Sequence, residues 1–292
     1  MTEQIRATSG WLRRQYATED GLRARIETHL RYSERQDSWY DWLAALLPAP
    51  ADGPLLDAGA GNGAVFAAVA PRLTRSARQV ALDLSPGMLA AARQRARDAG
   101  LLHATFVNGD IQALPFAGGQ FAVAMANHML YHVPDIPRAV AELHRVLVPG
   151  GILIAATNAR DSYPELFALH AAGIQALGLP LQPERRADVI GPFNLEEGAA
   201  FFTPLFSEVT VQTRRDGLVF TDVPGLLRYY LSGPIYMGAA GPDDPRVRPA
   251  QWDALADWMA ARVGAAIAQD GAWRVDKTAG AFVARKDAPR GI

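Results

Sequence analysis

Cysteine is absent from the 292 residues of the sequence, which excludes disulfide bonds, thiolate metal sites and a cysteine nucleophile. Lysine is almost absent: Lys277 and Lys286 are the only two, so arginine carries nearly all of the positive charge. No apolar run is long enough to cross a bilayer, and the first residues lack the continuous apolar core of a signal peptide. The formal net charge of -1 provides no basic field that would attract nucleic acid or an anionic membrane. We therefore expect a cytoplasmic protein that binds neither.

The sequence does contain an ordinary globular mixture, with 49% hydrophobic and 20% charged residues. From Leu55 to Ala156, short apolar strands alternate with helical patterns, which predicts an α/β fold with a parallel sheet. The first expected strand ends at Asp57, and the others are 79–82, 105–107, 121–126 and 152–156, with helices at 87–99 and 136–147. About fifty residues of mainly helical pattern precede this region.

After Thr157 the regular alternation stops. Apolar spacing and proline or glycine breaks still mark individual elements in this part of the chain. We expect helices at 163–177, 195–200, 223–231 and 249–268, and strands at 208–213, 218–221 and 278–284.

A glycine-rich turn follows the first strand, in the sequence Leu-Leu-Asp-Ala-Gly-Ala-Gly-Asn-Gly from Leu55 to Gly63. Glycine permits positive φ and lets a ligand approach the backbone closely, and a helix start exposes N–H groups to that ligand. Gly59, Gly61 and Ala64 satisfy the dinucleotide pattern G-x-G-x-x-A, which is weak evidence when it stands alone. Asp57 disfavours that interpretation, because its carboxylate would repel a pyrophosphate and attract a ligand with an ammonium group.

The turn from Asp57 to Gly63 resembles the first motif of class I S-adenosylmethionine (SAM)-dependent methyltransferases, Asp-x-Gly-x-Gly-x-Gly. Further motifs of that family follow in order: Asp83 after the second strand, Asp110-Ile111 after the third, Leu114-Pro115-Phe116 with Phe121, and Arg145 to Gly151. The family's second Asp in the fourth-strand motif is Ala122 here, which makes that motif less regular. The sequence resembles in particular the type 11 methyltransferase domain of small-molecule enzymes such as those of ubiquinone and menaquinone biosynthesis.

The resemblance implies a Rossmann-like sheet of seven strands, with helices on both faces and the last strand antiparallel. It implies a helical lid in residues 1–50 and a SAM-binding core in 51–160. A cap or substrate segment follows in 161–277, with core strand 208–213 inside it, and 278–292 form the last strand and tail. The segment from Tyr16 to Trp42 is expected to close over the cofactor.

The implied cofactor is SAM, with Asp83 on the ribose hydroxyls, Asp110 and Ile111 around the adenine, and Asn127 on the methionine part. The full expected cofactor site is Tyr16, His29, Asp57, Gly59, Ala60, Gly61, Asn62, Gly63, Asp83, Leu84, Met88, Asp110, Ile111, Asn127 and His128. Core packing is an alternative role for His29, and a turn or helix cap is an alternative role for Asp110.

The reacting face is expected just after the fourth strand, because the carboxyl ends of parallel strands face the ligand crevice. His132 is the first candidate base, since an unperturbed imidazole titrates near neutral pH, and His128 is the second. A helix cap or core packing is the alternative for His132. No His, Asp and Glu cluster at metal-ligand spacing is visible, so no metal site is expected.

The expected acceptor is a small molecule with an oxygen, nitrogen or carbon nucleophile, which the cap aromatics suggest is aromatic or quinone-like. Those aromatic residues, most of which have an ordinary core role as their alternative, are Tyr163, Phe167, Phe193, Phe201, Phe202, Tyr229, Tyr230 and Tyr236. The arginine-rich start is read as a solvated helix face, with Arg25 and Arg31 as exceptions because they flank its apolar stripe. An NAD-dependent oxidoreductase and a non-catalytic SAM-binding protein remain alternatives, and a homodimer is left open.

Overall fold

The structure is a computed structural model that describes residues 20–48, 53–73, 78–101, 103–180, 191–233, 235 and 247–288. Tyr16 and Tyr236 lie outside these residues. The strands are β1 (Leu55–Ala58), β2 (Gln79–Asp83), β3 (Ala104–Asn108), β4 (Phe121–Asn127), β5 (Leu147–Asn158), β6 (Glu208–Phe220) and β7 (Trp273–Arg285). The α-helices are α1 (Asp20–Tyr32), α2 (Trp39–Ala45), α3 (Ala64–Val69), α4 (Pro86–Asp98), α5 (Ile136–Val146), α6 (Pro164–Ala176), α7 (Val223–Leu231) and α8 (Pro249–Asp270).

The seven strands form one sheet in the order β3-β2-β1-β4-β5-β7-β6. The pairs from β3 to β5 are parallel, and β7 is antiparallel to both of its neighbours. This is the expected Rossmann-like class I methyltransferase sheet, including the antiparallel last strand. The chain order reverses between β1 and β4, and ligands of open α/β sheets bind at such a switch point, outside the carboxyl ends of the strands.

Alternate residues of the central strands enter two separate apolar clusters, one on each face of the sheet. Leu56, Ala124 and Leu153 pack with the apolar side of α5, whereas Leu55, Val123 and Ile154 pack with α2 and α3. The period of two follows from the pleat of a β-strand. Helices therefore cover both faces of the central strands, so in the described part of the chain a ligand would approach these strands from their ends.

The antiparallel strands β6 and β7 are longer than the sheet that they complete. Their pairing continues from Glu208↔Arg285 to Phe220↔Trp273, whereas β5 pairs with β7 only as far as Asn158↔Ala279. The remaining halves project past the carboxyl end of β5. Leu218, Phe220 and Val275 on these arms join a third apolar cluster with α6, α7 and α8, which forms the core of the cap.

Several expected elements have different limits in the structure. The strands expected at 208–213 and 218–221 are the single strand β6, because Asp216 and Gly217 continue the ladder with β7. The last strand begins at Trp273 instead of Thr278, and β5 begins at Leu147 instead of Ile152. The helix expected at 195–200 is a 3-10 turn, Gly198–Phe201. In the part of the chain that is described, no helix is long and apolar enough to span a membrane.

Candidate active site

The glycine turn between β1 and α3 has the backbone that its sequence predicts. Gly59, Gly61 and Gly63 have φ values of 74°, 54° and 78°, a region that side chains with a Cβ rarely adopt. The turn is also crowded: a Cβ at Gly59 would lie 2.7 Å from Met129 Cγ, and one at Gly61 would lie 3.3 Å from Leu22 Cδ2. The amides of Gly59 and Ala60 both donate to the carbonyl of Leu82, so the turn is fixed to the end of β2.

Two carboxylates lie beside this turn, and they differ in their hydrogen bonds. Asp83 accepts from the amides of Gly61 and Ser85, each at 2.8 Å, although burial still raises its pKa. Asp57 is almost fully buried, and neither carboxylate oxygen has a hydrogen-bond partner among the described residues. Burial, followed by repulsion from Asp83, raises the pKa of Asp57 to about 7. A cationic group is therefore the ligand that this place would stabilise.

The part of the site where adenine is expected contains one exposed apolar residue, while the other expected contacts are buried or act as a cap. Leu84 directly follows Asp83 and is 58% exposed, whereas Met88 and Ile111 are buried in the core. Asp110 caps the 3-10 turn Ile111–Ala113 by accepting from the amide of Gln112 at 2.8 Å. Asp110 therefore caps the 3-10 turn in the structure, and its expected contact with adenine stays a prediction.

The end of β4 is joined to the N-terminal helices by Trp39 at the start of α2. Its indole Nε1 donates to Asn127 Oδ1 at 3.3 Å, and its ring lies 5.2 Å from that of His128. His128 has a φ of 49°, which is unusual for a residue with a side chain. Trp39 brings helix α2 to the switch point. The sequence interpretation missed this residue, because tryptophan on an amphipathic helix is typical of an ordinary core.

His132 lies in the 3-10 turn Leu130–His132, next to the ring of Tyr131. The expectation that it titrates near neutral pH is wrong. Burial lowers its pKa to about 3, with further contributions from the positive charge of Arg25 and from His128. Burial and Lys277 likewise lower the pKa of His128 to about 4. Both candidate bases are consequently neutral imidazoles at physiological pH.

His29 lies on α1 and contacts the cap instead of packing only against apolar residues. Lys277 Nζ is 2.9 Å from His29 Nδ1, and the Tyr229 ring lies edge-on at 5.6 Å. Burial and the charge of Lys277 lower the pKa of His29 well below its usual value. Lys277 also pairs with Asp216 at 3.0 Å. The sequence could not pair Lys277 with His29, since 248 positions separate them.

An open cleft lies between the cap and the end of β5. Asn158 lies at the end of β5 and Tyr131 follows β4, while Arg25 comes from α1. The other lining residues are mostly apolar or aromatic: Tyr163, Leu166, Phe167, Tyr229, Tyr230, Gly233 and Ile235. Of the cap aromatics singled out in the sequence, Phe193 and Phe202 pack instead in the core against Phe282. No cluster of His, Cys, Asp and Glu in the described residues is arranged to hold a metal.

Residues 56–155 match the family model described as "Methyltransferase domain". Two curated relatives match part of the chain. A malonyl-[acyl-carrier protein] O-methyltransferase of Enterobacter lignolyticus is 40% identical over 139 residues, 47% of this chain and 51% of the relative. A ubiquinone/menaquinone biosynthesis C-methyltransferase of Dinoroseobacter shibae is 40% identical over 120 residues, 41% of this chain and 46% of the relative. The chain thus spans about half the length of the curated relatives that it matches.

Structural similarity extends further than sequence similarity. A phosphoethanolamine N-methyltransferase of Haemonchus contortus, solved with phosphomonomethylethanolamine and S-adenosylhomocysteine, superposes with a TM-score of 0.56 and 18% identity. The match covers 94% of this chain and 59% of that one, and at such low identity it supports the fold alone. The family match, the sheet order and the glycine turn lead to one identification: residues 56–155 are a class I SAM-dependent methyltransferase domain.

Proposed function

We propose that this protein transfers the methyl group of SAM to a small-molecule acceptor. The carboxylate pair beside the glycine turn carries the proposal. Asp57 and Asp83 are close enough for the charge of one to raise the pKa of the other, an arrangement that opposes a pyrophosphate and favours a cation. SAM has an ammonium and a sulfonium and no phosphate, so this observation also argues against the NAD-dependent alternative.

The residues around the turn fit SAM on structural grounds. Asp57 and Asn62 are both buried and keep polar side-chain atoms without a partner among the described residues. Such atoms are costly unless a ligand or water satisfies them. The three positive-φ glycines add a backbone surface that a ligand can approach. The place is therefore polar, partly unsatisfied and negatively charged, as a site for a cationic nucleoside requires.

Roles for the individual residues follow from their chemistry. When bound, SAM would supply a methyl group on a leaving group that its positive charge already activates. Asp83 would hold the ribose, because a carboxylate can accept hydroxyl hydrogen bonds besides its two backbone amides. Asp57 would hold the ammonium, Leu84 would cover one face of the adenine, and Asn127 would orient the methionine part.

The acceptor would occupy the cleft between the cap and the end of β5. Its walls are largely aromatic and apolar, which favours a flat or apolar molecule and excludes bulk water. The chain would contribute alignment of the acceptor and exclusion of water, the main requirements of an in-line displacement. His132 is our proposed proton acceptor where the nucleophile carries a proton; its lowered pKa makes it a weak base, so this role suits a nucleophile with an acidic proton.

We expect SAM and S-adenosylhomocysteine to bind with a free energy on the order of -8 kcal/mol, measured by isothermal titration calorimetry. Asp83→Ala should weaken both by about 1.5–3 kcal/mol, because charged hydrogen bonds to the ribose are lost. Asp253→Ala, an exposed position on α8, is the control and should bind normally. Tight binding of NADH without any signal from SAM would overturn the proposal.

A second measurement addresses the acceptor. The protein is incubated with SAM labelled in its methyl group and with a metabolite extract, and the labelled products are identified by mass spectrometry. A labelled small molecule supports the proposed function. Binding of SAM with no labelled product in any extract would instead favour a non-catalytic SAM-binding protein.

A further inference from the structure

We propose that the acceptor is an aromatic carboxylic acid, whose ring lies in the cleft between cap and core and whose carboxylate is bound by Arg25. This inference rests on the proposed methyltransferase function. It concerns the binding of the acceptor, and it leaves open which of its atoms receives the methyl group.

The first support is the shape and composition of the cleft. Leu166, Phe167, Tyr229, Tyr230 and Ile235 line it and are themselves nearly fully buried, so the cleft has fixed walls. Aromatic walls favour a ring through offset or edge-to-face packing. An aliphatic chain would gain less from such walls than a planar ring of similar area.

The second support is the charge of the lining. Arg25 is the one charged side chain among the described residues that line the cleft, and no carboxylate lines it. The guanidinium donates to the carbonyl of Ser232 next to α7, which places it at the junction of α1 with the cap. A guanidinium matches a carboxylate in geometry and charge, often through two parallel hydrogen bonds.

The charge of Arg25 acts on ionisable side chains in the cleft and beside it. After burial, Arg25 is the largest contributor to the lowered pKa of His132. It also opposes the raised pKa values of Tyr163 and Tyr229, which burial dominates. The same charge that disfavours an imidazolium here would favour an anion in the cleft.

The third support is the presence of hydrogen-bond donors on the wall of the cleft. Burial raises the pKa of Tyr229 to about 12 and that of Tyr163 well above its usual value, so both hydroxyls remain protonated at physiological pH. Tyr163 has a φ of 62°, a conformation that is rare for a residue with a side chain and is concentrated at functional sites. The two hydroxyls also hydrogen-bond to each other, so one tyrosine hydroxyl and the amide of Asn158 are the donors that a carboxylate would accept from.

The test compares two probes of equal shape and different charge, 2-naphthoate and 2-naphthamide. Their dissociation constants are measured by calorimetry at pH 7.5 with S-adenosylhomocysteine present. We expect wild type to bind the acid at least about 10-fold more tightly than the amide, and added salt to reduce this preference. Arg25→Gln should remove the preference. Arg23→Gln, two residues before Arg25 on α1 and paired at the surface with Asp20, should retain it.

Equal affinity of wild type for both probes, or no binding of either one, would overturn the inference. Retention of the preference by Arg25→Gln would assign the carboxylate to another residue and overturn the role of Arg25. If Arg25→Gln does not fold, Arg25→Lys takes its place and should keep a reduced preference; an unreduced preference then contradicts the proposal. Binding of S-adenosylhomocysteine is recorded in the same titrations, so failure of the methyltransferase function itself is seen separately.

Discussion

At the scale of single residues, Asp57 illustrates how a binding site is maintained at a cost to folding. Its carboxyl is buried without a partner among the described residues, and its pKa rises from 3.8 to about 7. A group whose folded pKa exceeds its unfolded pKa contributes stability at low pH, and this contribution is lost as the pH rises through the folded value. The ligand-free protein should therefore become less stable between about pH 4 and pH 7 on account of this one residue.

Asp57→Asn should remove that pH dependence. When the pH rises from 5 to 8.5, Asp57 should lower the free energy of unfolding of the wild type by about 2–3 kcal/mol. The figure follows from about 1.4 kcal/mol per pH unit below the folded pKa. Urea unfolding at the two pH values measures it. Asp253→Asn is the control and should behave as wild type. The variant should bind SAM more weakly at pH 8.5. An unchanged pH dependence in Asp57→Asn would show that Asp57 does not carry the effect.

His132 leads to a different pH prediction. If it is the proton acceptor, His132→Ala should lower turnover by about 10²-fold or more and leave the affinity for SAM almost unchanged. Because its pKa is about 3, turnover at saturating SAM should not fall through this group between pH 8 and pH 5. A decrease with a midpoint near 6.5 that disappears in His132→Ala would contradict the lowered pKa. Full turnover in the variant would make His132 structural.

The residues that sequence reasoning could identify have local signatures. The glycine turn was recognisable because three glycines follow a strand that ends in an acid, and the structure confirms their positive φ. Trp39, Lys277 and Asp216 had no such signature. Lys277 lies on β7 and Asp216 lies on β6. Their contacts with α1 and with the segment between α1 and α2 depend on three-dimensional packing.

At the scale of elements, helices α1 and α2 are attached to both the core and the cap. Arg214 of β6 is buried and holds Asp37 at 2.8 Å, and Ser33 donates to Asp216. Leu22 of α1 lies over the glycine turn. These contacts support our proposal that the N-terminal helices form a lid over the cofactor, with Tyr16 in the part of the chain outside the described residues.

We expect hydrogen exchange in α1 and α2 to slow when SAM is added, because closure over a ligand suppresses local opening. The amides of α8, which packs in the cap away from the glycine turn, provide the internal control and should change little. Mass spectrometry of peptic fragments measures both. Protection confined to the glycine turn and β2, with α1 and α2 unchanged, would contradict a lid.

Strands β6 and β7 show why element limits after Thr157 were harder to predict. Charged residues interrupt the apolar–polar alternation expected of a half-buried strand. Arg214 occupies a buried position where an apolar residue would be expected, and Arg215 next to it is exposed. The interruption reflects tertiary contacts: Arg214 binds the segment before α2, and Asp216 binds Ser33 and Lys277. A sequence pattern contains no information on such contacts, so it predicted two strands where the structure has one.

At the scale of the whole molecule, the sequence predicted the architecture of the sheet, but it did not predict which side chains meet in the cap. The motifs from Leu55 to Ala156 indicated the parallel strands and the family resemblance, and that resemblance implied the seven-stranded sheet with its antiparallel last strand. The cap has its own apolar cluster, and its cleft combines residues from α1, β5, α6 and α7. Helical spacing predicted most of those elements, but it contains no information on which side chains meet across them.

The position of the two lysines on and beside β7 has a consequence for the chemistry of the whole surface. Both lysines of the chain belong to this one strand or its immediate end, and both ammonium groups are already in use. Lys277 contacts Asp216 and His29, and Lys286 donates to the carbonyls of His144 and Leu147 at 2.8 Å each. Reagents that acylate side-chain amines would therefore report on one position inside a single strand and one directly after its end, while the arginine-rich remainder of the surface keeps its charge.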